Sequence, residues 1–418
     1  MVSVRAVKGT KDILPDETAS WQRVEAAART LFARYGYREV RTPIFEETQL
    51  FARGIGAETD IVSKEMYTFD DRDGSSLTLR PEATAGIVRA VIEHNLINTD
   101  PALKVYVLGP MFRRERPQKG RYRQFHQLDV EAIGYANPMV DVEVIEMALA
   151  FLEACGLQSY ELVLNSVGDA ACRPQYVEVL RTALRANLSK LGEDSQRRTE
   201  SNPLRVLDSK LPEEQELIAS LPKIGDHLCA PCREHFAEVK RHLDLLGIRY
   251  RLDSRLVRGL DYYVKTTFEV VSGELGAQNS VLGGGRYDGL VRDLGGPDIP
   301  GVGFALGLER LVLILPPGEG ERRCDVFLAP LAAPAIDAAL RLQHELRKSG
   351  VRVLLDPEGR SFKSRMKLAD RLGARFVAIL GDDELGRGVW SVRDMAGSSQ
   401  EDVPMARVAL HLKEKVHG

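Results

Sequence analysis

The sequence predicts a two-domain α+β chain, and three observations carry that expectation. Two strand-like blocks separated by a basic turn point to a long hairpin, and a charged, Leu-rich, Pro-broken stretch at about 170–250 points to a helical insertion. Beyond residue 322, strand and helix patterns alternate as in a compact α/β domain. The 418-residue length agrees, since domains of about 100–200 residues give two or three of them.

Taken in order, Pro15 and Asp16 mark a helix start, and Trp21, Val24, Ala28, Leu31, Phe32 and Tyr35 form an apolar stripe of about 3.6-residue period ending at Gly36. YREVRTPIFEE (37–47) reads as a strand whose Pro43, lacking an N–H, belongs at an edge or a subunit contact. Residues 103–115 and 123–134 are the hairpin strands, with Pro117 and Gly120 in the turn. Helical patterns follow at about 140–156 and 174–190, and then the insertion with Pro203, Pro212, Pro222 and Pro231. LDYYVKTTFEVV (260–271) reads as a strand, LGGGRYDGL (282–290) as a Gly-rich turn, and GVGFALGLERLVLIL (301–315) as a strand running into a helix. Pro316, Pro317 and Gly318 open a linker, so the expected domains are 1–322 and 323–418.

Composition removes several classes. No run of about 20 apolar residues exists, because Glu309 and Arg310 interrupt the strongest candidate, so no membrane association is expected. The N-terminal MVSVRAVKGTKDILPDE lacks the apolar core of a secretory signal, and five scattered cysteines suit free thiols in a reducing compartment. A cytoplasmic location is expected. The 57 Lys+Arg and 60 Asp+Glu leave a net charge of −3, which taken alone argues against a nucleic-acid partner.

The distribution of charge says otherwise. Residues 113–123 hold six basic side chains and one acid, and 360–375 repeat that ratio. No P-loop string occurs, and GVGFALG has Leu306 where a third glycine would complete a dinucleotide fingerprint. Arginines Arg113, Arg114, Arg116, Arg121 and Arg123 instead offer planar forks suited to polyphosphate or nucleic acid, although a solvated loop has the same composition. On the second hairpin strand, Phe125, Gln127, Asp129 and Glu131 share one face. That face suits a stacked base followed by a cationic small molecule, and equally a half-exposed strand. Arg80, Glu82 and Thr84, then Arg258, Asp261, Tyr262 and Tyr263, and then Arg310 are polar clusters in apolar surroundings that need partners if buried. His227, Cys229, Cys232 and His235 have ligand chemistry, but structural zinc sites use two separated pairs, so buried or capping thiols are expected and no metal is assigned.

These strings together resemble the bacterial histidyl-tRNA synthetase family along nearly the whole chain. YREVRTPIFEE, MFRRERPQKGRYRQFHQLDVE and GVGFALGLERL are similar to its motifs 1, 2 and 3, while LVRGLDYY and GGGRYDGL are similar to its two histidine-specific peptides. The resemblance implies an α+β catalytic domain with a class II synthetase-like antiparallel sheet, a helical insertion, and a C-terminal α/β anticodon-binding domain. It implies ATP-dependent activation of L-histidine, then transfer to the 3′ end of tRNA(His), with ATP and Mg²⁺ required and a homodimeric state.

By the same resemblance, Arg113 contacts the ATP α-phosphate, Arg121 and Arg310 the terminal phosphates, Phe125 the adenine, and Glu115 belongs to the ATP set. Glu82, Thr84 and Gln127 hold the histidine α-amino group, and Glu131 and Tyr263 the imidazole, with Tyr287 nearby. Arg258 binds the carboxylate and the α-phosphate and shares the catalytic role with Arg113. Arg116, Gln118 and Lys119 meet the tRNA acceptor end, and Lys363 and Lys367 its anticodon region. The rival reading is a non-catalytic, synthetase-like regulatory subunit of ATP phosphoribosyltransferase, a class whose arginines or histidine pocket are degraded and which lacks the last domain.

Overall fold

The computed structural model describes residues 4–56, 59–100, 103–276, 279–316, 323–397 and 399–417. The chain divides into two compact units, residues 1–318 and 319–418.

The first unit is organised by an eight-stranded sheet. Its strand order is Arg38–Glu39, Lys104–Phe112, Gln124–Ile133, Gly301–Gly307, Ser280–Arg286, Val264–Val271, Glu161–Ser166 and Arg251–Leu252. The two outermost pairings are parallel and all those between them are antiparallel. Because side chains alternate along a strand, each strand offers one row to each face. Leu128, Val130 and Ala132 join Val302, Phe304, Leu306, Phe268 and Val270 in the main core. The helices Pro15–Arg34 and Pro138–Ala154 cover that face. The first helix buries Trp21, Val24, Ala28, Leu31 and Phe32 of the expected stripe, while Tyr35 is half-buried at its C-cap; Phe32 packs against Tyr106, Phe151 and Phe304 at ring separations of 5.2, 5.4 and 6.4 Å. The opposite row on the central strand is Gln127, Asp129 and Glu131, also buried, and it faces the cavities described below.

Three local expectations change. YREVRTPIFEE is two short strands in different sheets: Arg38–Glu39 pairs with Val105 and Tyr106, whereas Phe45–Glu47 pairs with Leu77 to Leu79 in a separate three-stranded sheet. Pro43 lies between them and, lacking an N–H, offers no donor to either ladder. LGGGRYDGL is no turn for most of its length, since Ser280–Arg286 is a central strand paired on both sides. Its glycines serve close approach: a Cβ at Gly283 would overlap the Arg258 guanidinium. LDYYVKTTFEVV becomes extended only from Val264, with Lys265 at φ 52°, so Tyr262 and Tyr263 belong to the preceding loop.

Between the strand Glu161–Ser166 and the return at Arg251 the chain is helical. Helices Arg173–Arg185, Glu193–Ser201, Gln215–Ser220 and Ala230–Leu245 surround a core of their own containing Tyr176, Leu180, Leu184, Val206 and Ile218. Pro203 and Pro212 each open a 3₁₀ turn, as their fixed φ favours. The second unit carries a five-stranded sheet in the order Val353–Leu355, Val326–Pro330, Phe376–Leu380, Val389–Asp394 and Gln400–Pro404, parallel in its first two pairings and antiparallel in its last two. This is the expected α/β pattern, with a short helix Asp382–Arg387 and a final helix Val408–His417 added.

One buried ion pair ties the first unit across its layers. Arg286 and Asp141 are both 0% exposed, and Arg286 Nε lies 3.2 Å from each Asp141 carboxylate oxygen. Arg286 also donates to Tyr135 O at 2.8 Å, and His235 Nε2 meets the same carboxylate at 3.2 Å. Asp141→Ala would strand the guanidinium without its counter-ion, so a loss of about 3–5 kcal/mol in unfolding free energy is expected. Urea denaturation of the variant checks this, and a loss below about 1 kcal/mol would mean that water replaces the carboxylate at no cost.

Candidate active site

Two adjoining cavities lie on the polar face of the sheet and share Arg113, Gln127, Arg258 and Ala305 in their walls. The inner one, about 170 Å³, is lined by Glu82, Thr84, Asp129, Glu131, Tyr262, Tyr263 and Tyr287. The outer one, about 180 Å³, is lined by Glu115, Arg121, Phe125, Glu309 and Arg310. The inner chamber is acidic and aromatic, the outer one cationic.

In the inner cavity, Glu131 accepts hydrogen bonds from Thr84 Oγ1 at 2.6 Å and Tyr287 OH at 2.5 Å. Burial nevertheless pushes its pKa up to about 8, these two donors opposing the shift. Glu82 accepts from the backbone N–H groups of Thr84 and Ala85 at 2.8 and 2.9 Å, which satisfies two free donors at the start of the helix Thr84–Glu93. Burial raises its pKa as well. Neither carboxylate oxygen of Asp129 has a hydrogen-bond partner among the described residues. Burial, with Glu82 and Glu131 beside it, holds its pKa well above the usual range. Three buried carboxyl groups in one chamber form a site prepared for a ligand that donates hydrogen bonds or carries positive charge. The chamber exists because Gly303, opposite Glu131 in the ladder, has no side chain; a Cβ there would overlap the Glu131 carboxylate.

In the outer cavity the arginines are held by their stems and backbone neighbours. Arg113 Nε donates to Pro81 O at 2.8 Å, and its guanidinium lies 5.3 Å from the Phe125 ring centre. Arg310 Nε donates to Ser280 O at 2.9 Å. Burial and the neighbouring Arg121 lower the pKa of Arg310, a sign of crowded positive charge. Glu115 is shared at 3.8 Å by Arg113 and 3.4 Å by Arg121, while Arg258 Nη1 meets Glu269 at 3.2 Å. Glu309 is engaged by the backbone N–H of His126. Four arginines around one loosely paired carboxylate suit a polyphosphate.

Every residue expected at the ATP and histidine sites therefore lines one of these two cavities. Arg116, Gln118 and Lys119 lie outside, exposed on the hairpin loop closed by the Gln118–Arg121 bridge. Lys363 and Lys367 are exposed on the helix Phe362–Arg371 of the second unit. The basic patch there is smaller than its composition suggests, because Arg365 is only 6% exposed and, like Arg360, is bonded to Asp356. The cavities also contain Asp129 and Tyr262, to which the family resemblance assigned no role. Asp129 was visible as a member of the Phe125 to Glu131 face, whereas Tyr262 had no signal separating it from Tyr263. The four-residue set His227, Cys229, Cys232 and His235 does not converge: His235 is bonded to Asp141, and the His227 ring packs on Tyr176.

An antiparallel sheet presenting arginines and an aromatic to one chamber and carboxylates to the next, followed by an α/β unit, defines a class II aminoacyl-tRNA synthetase architecture. A family model described as "Histidyl-tRNA synthetase" matches residues 9–311, and one described as "Anticodon binding domain" matches residues 312–415. The chain belongs to the histidyl-tRNA synthetase family. The histidine–tRNA ligase of Solibacter usitatus is 53% identical over 98% of this chain and 99% of its own length. That of Syntrophotalea carbinolica is 49% identical over the full length of both. The crystal structure of apo S. aureus histidyl-tRNA synthetase superposes with a TM-score of 0.82 at 38% identity, covering 98% of this chain and 100% of that one.

The raised Glu131 pKa has a stability consequence of definite sign. Below about pH 4.3 the carboxyl is protonated whether the chain is folded or not. As the pH rises toward 8 the unfolded chain releases this proton while the folded chain keeps it, so stability falls by up to roughly 1.4 kcal/mol per pH unit and levels off above the folded pKa. Glu131→Gln removes the titration, so the variant should gain stability relative to the parent as pH rises between those limits. Thermal melts of both proteins across the range check this, and a constant separation would refute it.

Proposed function

We propose that this protein is a histidyl-tRNA synthetase: it activates L-histidine with ATP to histidyl-adenylate and transfers histidine to the 3′ end of tRNA(His). The observation that carries the reading is the adjoining pair of chambers, one acidic and one cationic, with Arg113 and Arg258 in the wall common to both. Two substrates seated there meet at that wall, where the reaction needs positive charge.

In this reading Glu82, Thr84, Gln127 and Asp129 receive the ammonium end of histidine, while Glu131, Tyr263 and Tyr287 face its imidazole. Phe125 stacks on adenine, and Arg121 and Arg310 take the terminal phosphates. The histidine carboxylate attacks the α-phosphorus, the bond to the β-phosphate oxygen breaks, and pyrophosphate leaves. Negative charge grows on the α-phosphoryl oxygens, and Arg113 and Arg258, already held by Pro81 O and Glu269, stabilise it without reorganising. No side-chain nucleophile is needed. The terminal ribose hydroxyl of tRNA then attacks the carbonyl carbon and AMP departs. Glu115, an oxygen donor in the outer chamber engaged at 3.4 and 3.8 Å by Arg121 and Arg113, would hold a divalent cation, Mg²⁺ in this proposal. When bound, such an ion neutralises phosphate charge. A pocket built to hydrogen-bond the imidazole leaves buried polar groups unpaired when another amino acid enters, which supports discrimination of about 10⁴–10⁵ without editing.

Arg116, Gln118 and Lys119 are proposed to meet the acceptor end, and Lys363 and Lys367 the anticodon region. The proposed catalytic and anticodon-binding domains are residues 1–322 and 323–418. Exposed Ile44, Phe45 and Phe69 on or beside the three-stranded sheet support a homodimer through that surface. Among the described residues no helix is long and apolar enough to cross a membrane, and work on tRNA supports a cytoplasmic location. The regulatory-subunit reading is disfavoured by the complete arginine set and by the anticodon-binding match over residues 312–415.

Histidine-dependent ATP–pyrophosphate exchange by the purified protein tests the reading, and its absence in a folded sample would overturn it. Arg258→Ala should reduce exchange by at least about 10²–10³-fold while histidine and ATP binding persist; unchanged exchange would remove Arg258 from the chemistry. Changing Lys363 and Lys367 together to Glu should weaken tRNA binding and flatten its salt dependence, because fewer phosphate contacts release fewer counterions. An unaltered salt slope in filter binding would exclude that helix from the RNA interface.

A further inference from the structure

Three thiols and a carboxylate converge where the chain leaving the sheet meets the start of the insertion's last helix. Asp169 and Cys172 lie in the link between the strand Glu161–Ser166 and the helix Arg173–Arg185, and Cys229 and Cys232 lie at the start of the helix Ala230–Leu245. Their four donor atoms are all within 4.8 Å of one another. Cys172 Sγ and Cys232 Sγ are 3.9 Å apart, and Asp169 Oδ1 lies 3.6 Å from Cys172 Sγ and 3.8 Å from Cys229 Sγ. A tetrahedral zinc with Zn–S of about 2.3 Å and Zn–O of about 2.1 Å requires ligand separations of about 3.8 Å between sulfurs and about 3.6 Å between sulfur and oxygen. These three separations match such a cage, and the 4.8 Å bound on the rest leaves the set within reach of one ion.

We propose that Asp169, Cys172, Cys229 and Cys232 bind a structural zinc ion that ties the root of the insertion to the head of its last helix. The sequence string around Cys229 lacked a second, separated pair of ligands; the fold supplies it as Asp169 and Cys172, and each pair has two intervening residues. Thiolate-rich donor sets select zinc over harder cations. The surroundings match the charge of the site. Cys172 and Cys229 each stand at the N-cap position of a helix, of 13 and 16 residues, where the aligned peptide dipoles favour negative charge. The Asp169 carboxylate is oriented by the backbone N–H of Ala171 at 3.0 Å, the kind of outer contact that fixes a ligand. Gly168, at φ 63°, makes the turn possible; a Cβ there would lie 2.8 Å from Cys172 Sγ. Cys172 and Cys232 are buried while Asp169 and Cys229 are partly exposed, so the metal has a route in.

The clasp also borders the proposed histidine chamber. Arg173, next to Cys172, donates to Val167 O at 3.0 Å, to Gly168 O at 3.2 Å and to Tyr263 O. Zinc would thus fix the anchor of the loop that carries Tyr263.

Full-length protein prepared without a metal-chelating tag should contain one zinc ion per chain by elemental mass spectrometry. Cys229→Ser and Asp169→Ala should lower that content by about tenfold or more, whereas Cys155→Ser and Cys324→Ser leave it unchanged. As a control against loss of folding in ligand variants, the parent and Asp169→Cys, which makes an all-thiolate set, are loaded with cobalt. Both should show thiolate-to-cobalt charge-transfer absorption and tetrahedral d–d bands. A metal-free chain with all five thiols free, a Cys172–Cys232 disulfide seen as a two-mass-unit loss, or zinc that persists in soluble Cys229→Ser would each overturn the proposal.

Discussion

The constraint on which this molecule turns is the two-residue alternation of the central strand Gln124–Ile133. Leu128, Val130 and Ala132 enter the main core, and that commits Gln127, Asp129 and Glu131 to the other face. A slip of one residue in register would put three polar side chains into the core and empty the cavity floor. The hydrophobic core and the polar site are therefore two sides of one ladder, and the stability of the first fixes the geometry of the second.

The polar face stays open because its neighbours in the sheet are small. Gly303 opposes Glu131 and Ala305 opposes Asp129, while Gly283 makes room for the Arg258 guanidinium. The burial that the core imposes also accounts for the electrostatics. Glu82, Asp129 and Glu131 are removed from water together, which raises all three pKa values and leaves a chamber that favours hydrogen-bond donors. On the outer side, backbone carbonyls anchor the Arg113 and Arg310 side chains in the wall of the cationic chamber. Preorganisation of this kind is what an activation reaction without a covalent enzyme intermediate requires.

Away from the sheet, the insertion and the second unit each bury a core of their own. The root of the insertion at Asp169 to Cys172 lies against Cys229 and Cys232, at the head of the helix that leads back to the sheet at Arg251. A closure at that root serves the catalytic unit, because Arg173 links it to the backbone of Tyr263. The buried Arg286, Asp141 and His235 group performs a similar task, joining the glycine strand to one helix that covers the sheet and to the last helix of the insertion.

The sequence by itself determined the long hairpin, the first helix, the α/β alternation after residue 322 and the family, because periodicity and ordered motifs are local properties. It also determined which side chains share the face of the central strand. Only the tertiary structure decided which of them meet. The glycine string 282–290 looked like a turn, because its reason for being small lies in Arg258, on another segment. YREVRTPIFEE looked like one strand, because the two sheets that divide it are assembled from distant residues. Arg365 looked like part of an RNA patch until Asp356 took it into the interior. Cys229 and Cys232 were matched with the nearby His227 and His235 when their neighbours in space are Asp169 and Cys172. In each case the deciding partner is remote along the chain or lies on another element, and a pattern read along one segment does not contain it.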